Sequence, residues 1–349
     1  MRVVVTGATG NVGTAVLRAL DADSGVDEIV GMARRATGWR PGRAELVSAD
    51  VATDRLEPVF AGADVVVHLA WLIQPGRDET VTRAVNVEGS RRVFAAAAAA
   101  GVPSLVYASS VGAYSTGPKD RQVDESWPTE GVSSSFYSRH KAMVERELDR
   151  LAEAHPRMRL VRLRPSLIFQ RSAATEIRRL FAGPLLPTTL LRSRLAPFSP
   201  AVPGLRFQAV HADDVADAYR RAVLSDVSGP FNIAAEPVIG TAELSQLLDA
   251  RPIKVRAGVL RAGAAVTFRL HLQPAEPGWV DMALGVPLMS TERAREKLHW
   301  SPQHSSLEAI GELISGMRDG AQDQTAPLAR ATSGPGRLRE VLTGLGKRQ

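Results

Sequence analysis

The chain has 349 residues, 44% of them hydrophobic and 23% charged, which is enough apolar side chain for a large folded core and excludes a disordered segment or a stapled mini-fold. With no cysteine, it can carry no disulfide framework, thiolate metal site or thiol nucleophile. The formal net charge is +6, but the arginines are scattered without an aromatic-interleaved basic patch, so no nucleic-acid partner is expected.

In chain order, Val3–Val5 reads as a short strand, followed by a glycine loop and a helix over Thr14–Leu20. Strands follow at Glu28–Met32, Glu45–Val47 and Asp64–Leu69, with a short helix at Leu56–Phe60. The alanine-rich stretch Ser90–Ala100 predicts a helix, because alanine is the best helix former, and it leads through Gly101 to a strand at Ser104–Ala108. A helix beginning at Tyr137 and running to about Ala154 precedes a strand at Arg159–Arg164. Regularity then weakens: helix is expected at Thr175–Phe181, a returning strand and helix at Phe207–Val210 and Val215–Leu224, and helices at Thr241–Leu248 and Thr291–Leu298. Strands alternating with helices predict an α/β fold, a doubly wound parallel sheet of Rossmann type with a smaller, mixed C-terminal part.

The expected division is a dinucleotide-binding core with the catalytic residues at 1–165 and a smaller substrate-binding part at 166–320. Core elements return at about 207–225, and 321–349 reads as a mobile tail. Met1-Arg2 runs straight into the first strand without an apolar leader. The longest apolar-rich run, Val65–Ile73, contains His68 and falls short of the roughly 20 residues a spanning helix needs. The expectation is a cytoplasmic protein with no membrane partner.

Thr6-Gly7-Ala8-Thr9-Gly10-Asn11-Val12-Gly13 follows the first strand and opens the first helix. Glycines serve there where backbone must approach a pyrophosphate, and the helix start presents open N–H groups and a positive dipole end. The spacing resembles the Thr-Gly-x-x-Gly-x-x-Gly loop of the extended short-chain dehydrogenase/reductases, also called the NAD-dependent epimerase/dehydratase family. Further landmarks in order carry the resemblance to about residue 315. They are Asp50-Val51, His68-Leu69-Ala70, Asn86-Val87-Glu88-Gly89-Ser90, Tyr107-Ala108-Ser109-Ser110, Arg164-Pro165, Val210–Ala216 and Arg293–Trp300.

The resemblance implies a nicotinamide dinucleotide held by Gly7, Thr9, Gly10, Asn11, Val12 and Gly13, with Asp50 and Val51 at the adenine. Leu69, Ala70, Ser109, Lys141 and Pro165 complete the cofactor set. It also implies a catalytic set of Ser110, Tyr137 and Lys141, with tyrosine as general acid/base, serine on the substrate oxygen and lysine on the nicotinamide ribose. Tyr137-Ser138-Arg139-His140-Lys141 places phenol and ammonium on one helix face. An adjacent ammonium, together with the positive charge of an oxidised nicotinamide, is expected to lower the phenol's pKa. At the second strand end, where an acid favours NAD, the chain has Ala33 followed by Arg34 and Arg35, so NADP(H) is favoured over NAD(H).

His68, His211, Asn86, Arg164 and Asp214 read as structural, and no His/carboxylate grouping has metal-ligand spacing, so no metal is expected. Leu167 stands where sugar-nucleotide epimerases of the family usually carry asparagine, which weighs against that chemistry. Leu185–Phe207 is apolar and proline-rich; it is read either as a packing segment or as a pocket lining, with Arg192 or Arg194 on an anionic group. The expected function is hydride transfer between the cofactor and a small-molecule secondary alcohol or ketone. The alternatives are a nucleotide-sugar epimerase or dehydratase with retained NAD and, third, a non-catalytic dinucleotide sensor. A homodimer is the family's usual assembly.

Overall fold

The computed structural model describes residues 1–35, 39, 41–73, 77–181, 198–321, 323, 325, 327 and 328. Arg192, Arg194 and most of the expected tail lie outside the described residues.

Short runs of β-branched residues build the centre of the molecule. The strands are β1 (Arg2–Thr6), β2 (Glu28–Ala33), β3 (Glu45–Ser48), β4 (Val65–His68), β5 (Ser104–Ala108), β6 (Arg159–Pro165) and β7 (Gly229–Ile233). They form one sheet in the order β7-β6-β5-β4-β1-β2-β3, every neighbouring pair parallel. Val3–Val5 and Val65–Val67 are buried, as strands covered on both faces must be. Four helices supply much of the cover: α1 (Asn11–Asp21), α2 (Gly89–Ala99), α3 (Phe136–Ala154) and α4 (Ala212–Leu224). The first and last bury Leu17, Leu20, Val215 and Tyr219 against one face, with Trp300; the middle two bury Val93, Phe94, Val144 and Leu148 against the other.

The strand order reverses between β1 and β4, so the loops leaving those strands diverge and open a crevice at their C-terminal ends. Register sets Thr6 between Met32 and His68, and Ala108 beside Leu163.

Two elements differ from the sequence expectation. The strand expected at Phe207–Val210 forms at Ala209–His211 and pairs with Leu167–Phe169 outside the central sheet. The seventh sheet position belongs to Gly229–Ile233, a segment whose glycine, proline and asparagine hide its strand character until it docks on β6. The smaller part contains the pair Phe198–Ala201 with Arg251–Lys254, the helix Thr241–Leu248, α5 (Ala257–Arg269) and α6 (Gly278–Gly285).

Candidate active site

The glycine loop fits the backbone role its spacing suggests. Gly7 has φ of +73°, and a Cβ there would stand 2.7 Å from the Ala70 nitrogen; one on Gly13 would stand 2.3 Å from the Gly7 carbonyl oxygen. Gly10 N–H donates to that same carbonyl at 3.1 Å, and Leu69 N–H donates to Thr6 O at 3.1 Å. Gly7 therefore folds against the Leu69-Ala70 backbone, with Thr9 buried beside it and Val12 packed on the core. Gly10 caps α1 with no side chain of its own, so the helix start faces the crevice as bare backbone, a cradle suited to a dinucleotide pyrophosphate. Asn11 is held from across the crevice: Gln170 Nε2 donates to its Oδ1 at 2.6 Å and to its carbonyl at 2.9 Å.

On the rim, Arg34 and Arg35 leave the end of β2 exposed. Asp50 Oδ1 accepts from the Ala52 N–H at 2.9 Å, closing its own turn, while Val51 is buried. Pro165 ends β6 in register with Ile233.

The expected reactive groups converge at the ends of β5 and α3. Ser110 follows β5 and caps a short 3-10 turn, its Oγ accepting from Gly112 N–H at 3.0 Å, and its hydroxyl is near enough to the Tyr137 phenol to pull that phenol's pKa down. Ser135 caps the start of α3, and one turn on Lys141 donates from Nζ to Ala108 O at 2.6 Å. The same ammonium lies 3.5 Å from the centroid of the Trp71 indole and 5.8 Å from that of the Tyr137 ring. Trp71 and Trp279 flank the phenol, with ring centroids 5.9 Å and 5.0 Å from it.

In the chain by itself, burial works against the expected lowering of the phenol's pKa. Burial pushes the Tyr137 phenol up to about 12, against the smaller downward pull of the Ser110 hydroxyl. Burial also holds Lys141 well below the usual lysine range, with Glu145 opposing. In this arrangement Lys141 does not depress the phenol, because its ammonium is committed to a carbonyl and an indole face and is itself desolvated.

Ser109 faces away from the crevice, its hydroxyl donating to Glu145 Oε1. Glu145 is buried and takes Arg164 Nε at 2.9 Å and Nη2 at 3.0 Å, while Arg164 Nη1 reaches the Tyr114 hydroxyl at 3.0 Å and Glu125 O at 2.9 Å. Asn86 clamps the Leu72 backbone, accepting from its N–H at 2.7 Å and donating to its carbonyl at 2.8 Å. This asparagine sits in a π-helical turn, Ala84–Glu88, directly before α2. His68 bonds Thr6 and Ser90 in the core, and burial keeps it neutral with a pKa of about 3. Asp214 accepts from the N–H groups of Gln303 at 2.9 Å and His304 at 3.0 Å. No group of three or more His, Asp or Glu suited to a metal occurs among the described residues.

Sequence reasoning missed three members of the site. Glu145 was open to detection, since Tyr137, Lys141 and Glu145 recur at intervals of four along one helix face. Trp71 directly follows the His68-Leu69-Ala70 motif but carries no spacing signal, and Trp279 reaches the phenol only through the tertiary fold.

The chain is similar to known proteins over most of its length. An uncharacterized protein of Mycobacterium tuberculosis, Rv2047c, is 27% identical over 321 residues, covering 91% of this chain but 30% of its own length. The chain thus spans under a third of that relative. The ceramide reductase of Caulobacter vibrioides is 29% identical over 327 residues, 87% of each chain. The crystal structure of a Thermus thermophilus UDP-glucose 4-epimerase in complex with NAD shares the fold, with a TM-score of 0.66, 22% identity and coverage of 91% of this chain and 99% of that one. Residues 3–234 match the family model described as NAD dependent epimerase/dehydratase family, which spans the glycine loop, Ser110, Tyr137 and Lys141. This chain belongs to the NAD dependent epimerase/dehydratase family.

Proposed function

We propose that this chain is an NAD(P)-dependent oxidoreductase acting on a secondary alcohol or ketone of a largely apolar small molecule. The observation that carries the reading is the convergence of Ser110, Tyr137 and Lys141, with two indoles on the phenol, beside a dinucleotide cradle. The bound nicotinamide supplies or accepts the hydride. The chain's own part is to hold the substrate oxygen between Ser110 Oγ and Tyr137 Oη, with the phenol giving its proton to the carbonyl oxygen in reduction and taking it back in oxidation. A phenol that stays protonated up to about 12 is in the state that donates the proton in reduction. Lys141 anchors the end of β5 through Ala108 O, and on binding the nicotinamide ribose it would exchange its indole contact for the ribose hydroxyls.

Trp71 and Trp279 give the substrate side of the phenol an aromatic wall, which favours an apolar group over a sugar nucleotide. Full-length similarity to a protein named ceramide reductase supports the same class. Arg34 and Arg35 at the end of β2 favour NADP(H), through charge-assisted bonds to a 2′-phosphate.

The test is Tyr137→Phe assayed with NADPH and a panel of apolar ketones. Turnover should fall by roughly 10²–10⁴-fold with nucleotide affinity preserved; full turnover by the variant sinks the mechanism. In the wild type, reduction should be flat through neutral pH while oxidation climbs about tenfold per pH unit, because only the latter needs the phenolate. Near-stoichiometric NAD⁺ released on denaturing the purified protein would instead support an epimerase or dehydratase that recycles its cofactor.

A further inference from the structure

All the large hydrophobic side chains that stand exposed among the described residues fall in one stretch: Leu248, Ile253, Val259, Val266, Leu270 and Leu272. Val259 and Val266 lie two turns apart on α5, and Leu270 follows one turn later, so the three share a face, at 63%, 54% and 63% exposure. Gly263, between them on that face, leaves it flat, with nothing within 4 Å of where a Cβ would stand. Single exposed apolar residues are ordinary, whereas a stripe of them rimmed by charge marks an interaction surface.

The rim is cationic. Between Leu248 and Leu272 stand five Lys and Arg residues against one acid, Asp249. Arg261 pairs with Asp281 at 2.7 Å, while Arg251, Lys254, Arg256 and Arg269 are exposed and form no ion pair among the described residues. A second copy of the chain docking here across a two-fold axis would set those four charges against their equivalents, at a cost in repulsion. A surface of anionic headgroups over an acyl layer complements both features at once.

We infer that α5 and the strand Arg251–Lys254 form a docking face for an anionic lipid bilayer. The association is peripheral, because no helix among the described residues is long and apolar enough to cross a membrane. It departs from the sequence expectation of no membrane partner, since apolar residues this dispersed along the chain show no run to read.

The face is tied to both walls of the candidate active site. The Arg77 guanidinium stacks 4.0 Å from the Phe268 ring centroid and donates to Gln273 O at 3.3 Å, joining α5 to the segment that leaves Trp71. The Arg261–Asp281 pair joins α5 to α6, which carries Trp279. If the oxidoreductase reading holds, the site meets substrates that partition into the bilayer; the docking itself does not rest on that reading.

The experiment is vesicle flotation of the full chain with phosphatidylcholine alone and with phosphatidylcholine containing phosphatidylglycerol. The protein should float only with the anionic vesicles and release as salt rises. Val259→Asp with Val266→Asp should abolish flotation while preserving the circular dichroism spectrum and NADPH binding. Arg251→Gln with Lys254→Gln should weaken partitioning roughly thirtyfold, the usual contribution of two basic side chains near an anionic surface. Failure to float, equal flotation with neutral vesicles, or full flotation of the double aspartate variant overturns the inference. So does a wild-type dimer that floats with neither vesicle and that the aspartates dissociate, which would give the face to a second copy. Tyr137→Phe should float like wild type, which separates the fate of this inference from that of the reaction.

Discussion

Helix α3 buries nine of its nineteen residues and α5 none of its thirteen. The buried helix carries Tyr137, Lys141 and Glu145 on one face; Trp71 and Trp279 pack on the first, and the other two are bonded to Ala108 O and to Ser109 with Arg164. The exposed helix is attached through Arg77 on Phe268 and Arg261 on Asp281, and turns its apolar side chains outward. The proposed chemistry, which depends on a fixed proton geometry, uses the helix to which the sheet supplies rigid partners. The proposed docking uses the helix whose apolar surface stays uncovered among the described residues.

The comparison breaks first at the buried ion pair. Arg164→Met leaves Glu145 charged and without its main partner, so stability to urea should fall by roughly 3–5 kcal/mol. If the loss is under about 1 kcal/mol, as for exposed pairs, α3 is not anchored as described. The same pair has a pH signature. Burial alone would raise the Glu145 carboxyl, but the Arg164 bonds outweigh it and hold it at about 2. A carboxylate depressed in the folded state stabilises fully above its unfolded pKa near 4.5 and loses that contribution as pH falls toward 2. The wild-type advantage over Glu145→Gln should therefore shrink across that window; an advantage independent of pH would assign it to packing.

The glycine loop comes next. Gly13→Ala places a methyl 2.3 Å from the Gly7 carbonyl, so the loop must shift, and nucleotide affinity should drop by on the order of 1–3 kcal/mol. Unchanged binding by calorimetry would exclude the cradle from cofactor contact. Replacing Arg34 and Arg35 with alanine should weaken NADPH binding at least about tenfold while leaving NADH within about twofold. Equal losses would remove the basis for the NADP preference. The smallest effect is expected on α5, where Val266→Ser should change stability by no more than about 0.5 kcal/mol, as for an exposed residue without special contacts. A larger loss would mean that this face is already covered by protein.

The sequence by itself determined the parallel sheet, because β-branched runs at Val3–Val5 and Val65–Val67 separated by helical stretches leave a chain few other ways to bury both faces of each strand. It also determined the glycine loop and the order Ser110, Tyr137, Lys141, since tight turns and helix-face spacing are local properties written within a few residues. The tertiary structure decided the rest. Gly229–Ile233 becomes the seventh strand only by docking on β6, the Ser109 hydroxyl is taken by Glu145, and Trp71 and Trp279 reach Tyr137 from 66 and 142 residues away in the chain. The phenol's pKa rises because packing excludes water from it, and the α5 face is apolar and open because nothing among the described residues folds over it. Burial and long-range contact are properties of the closed chain, and no window of residues encodes them locally.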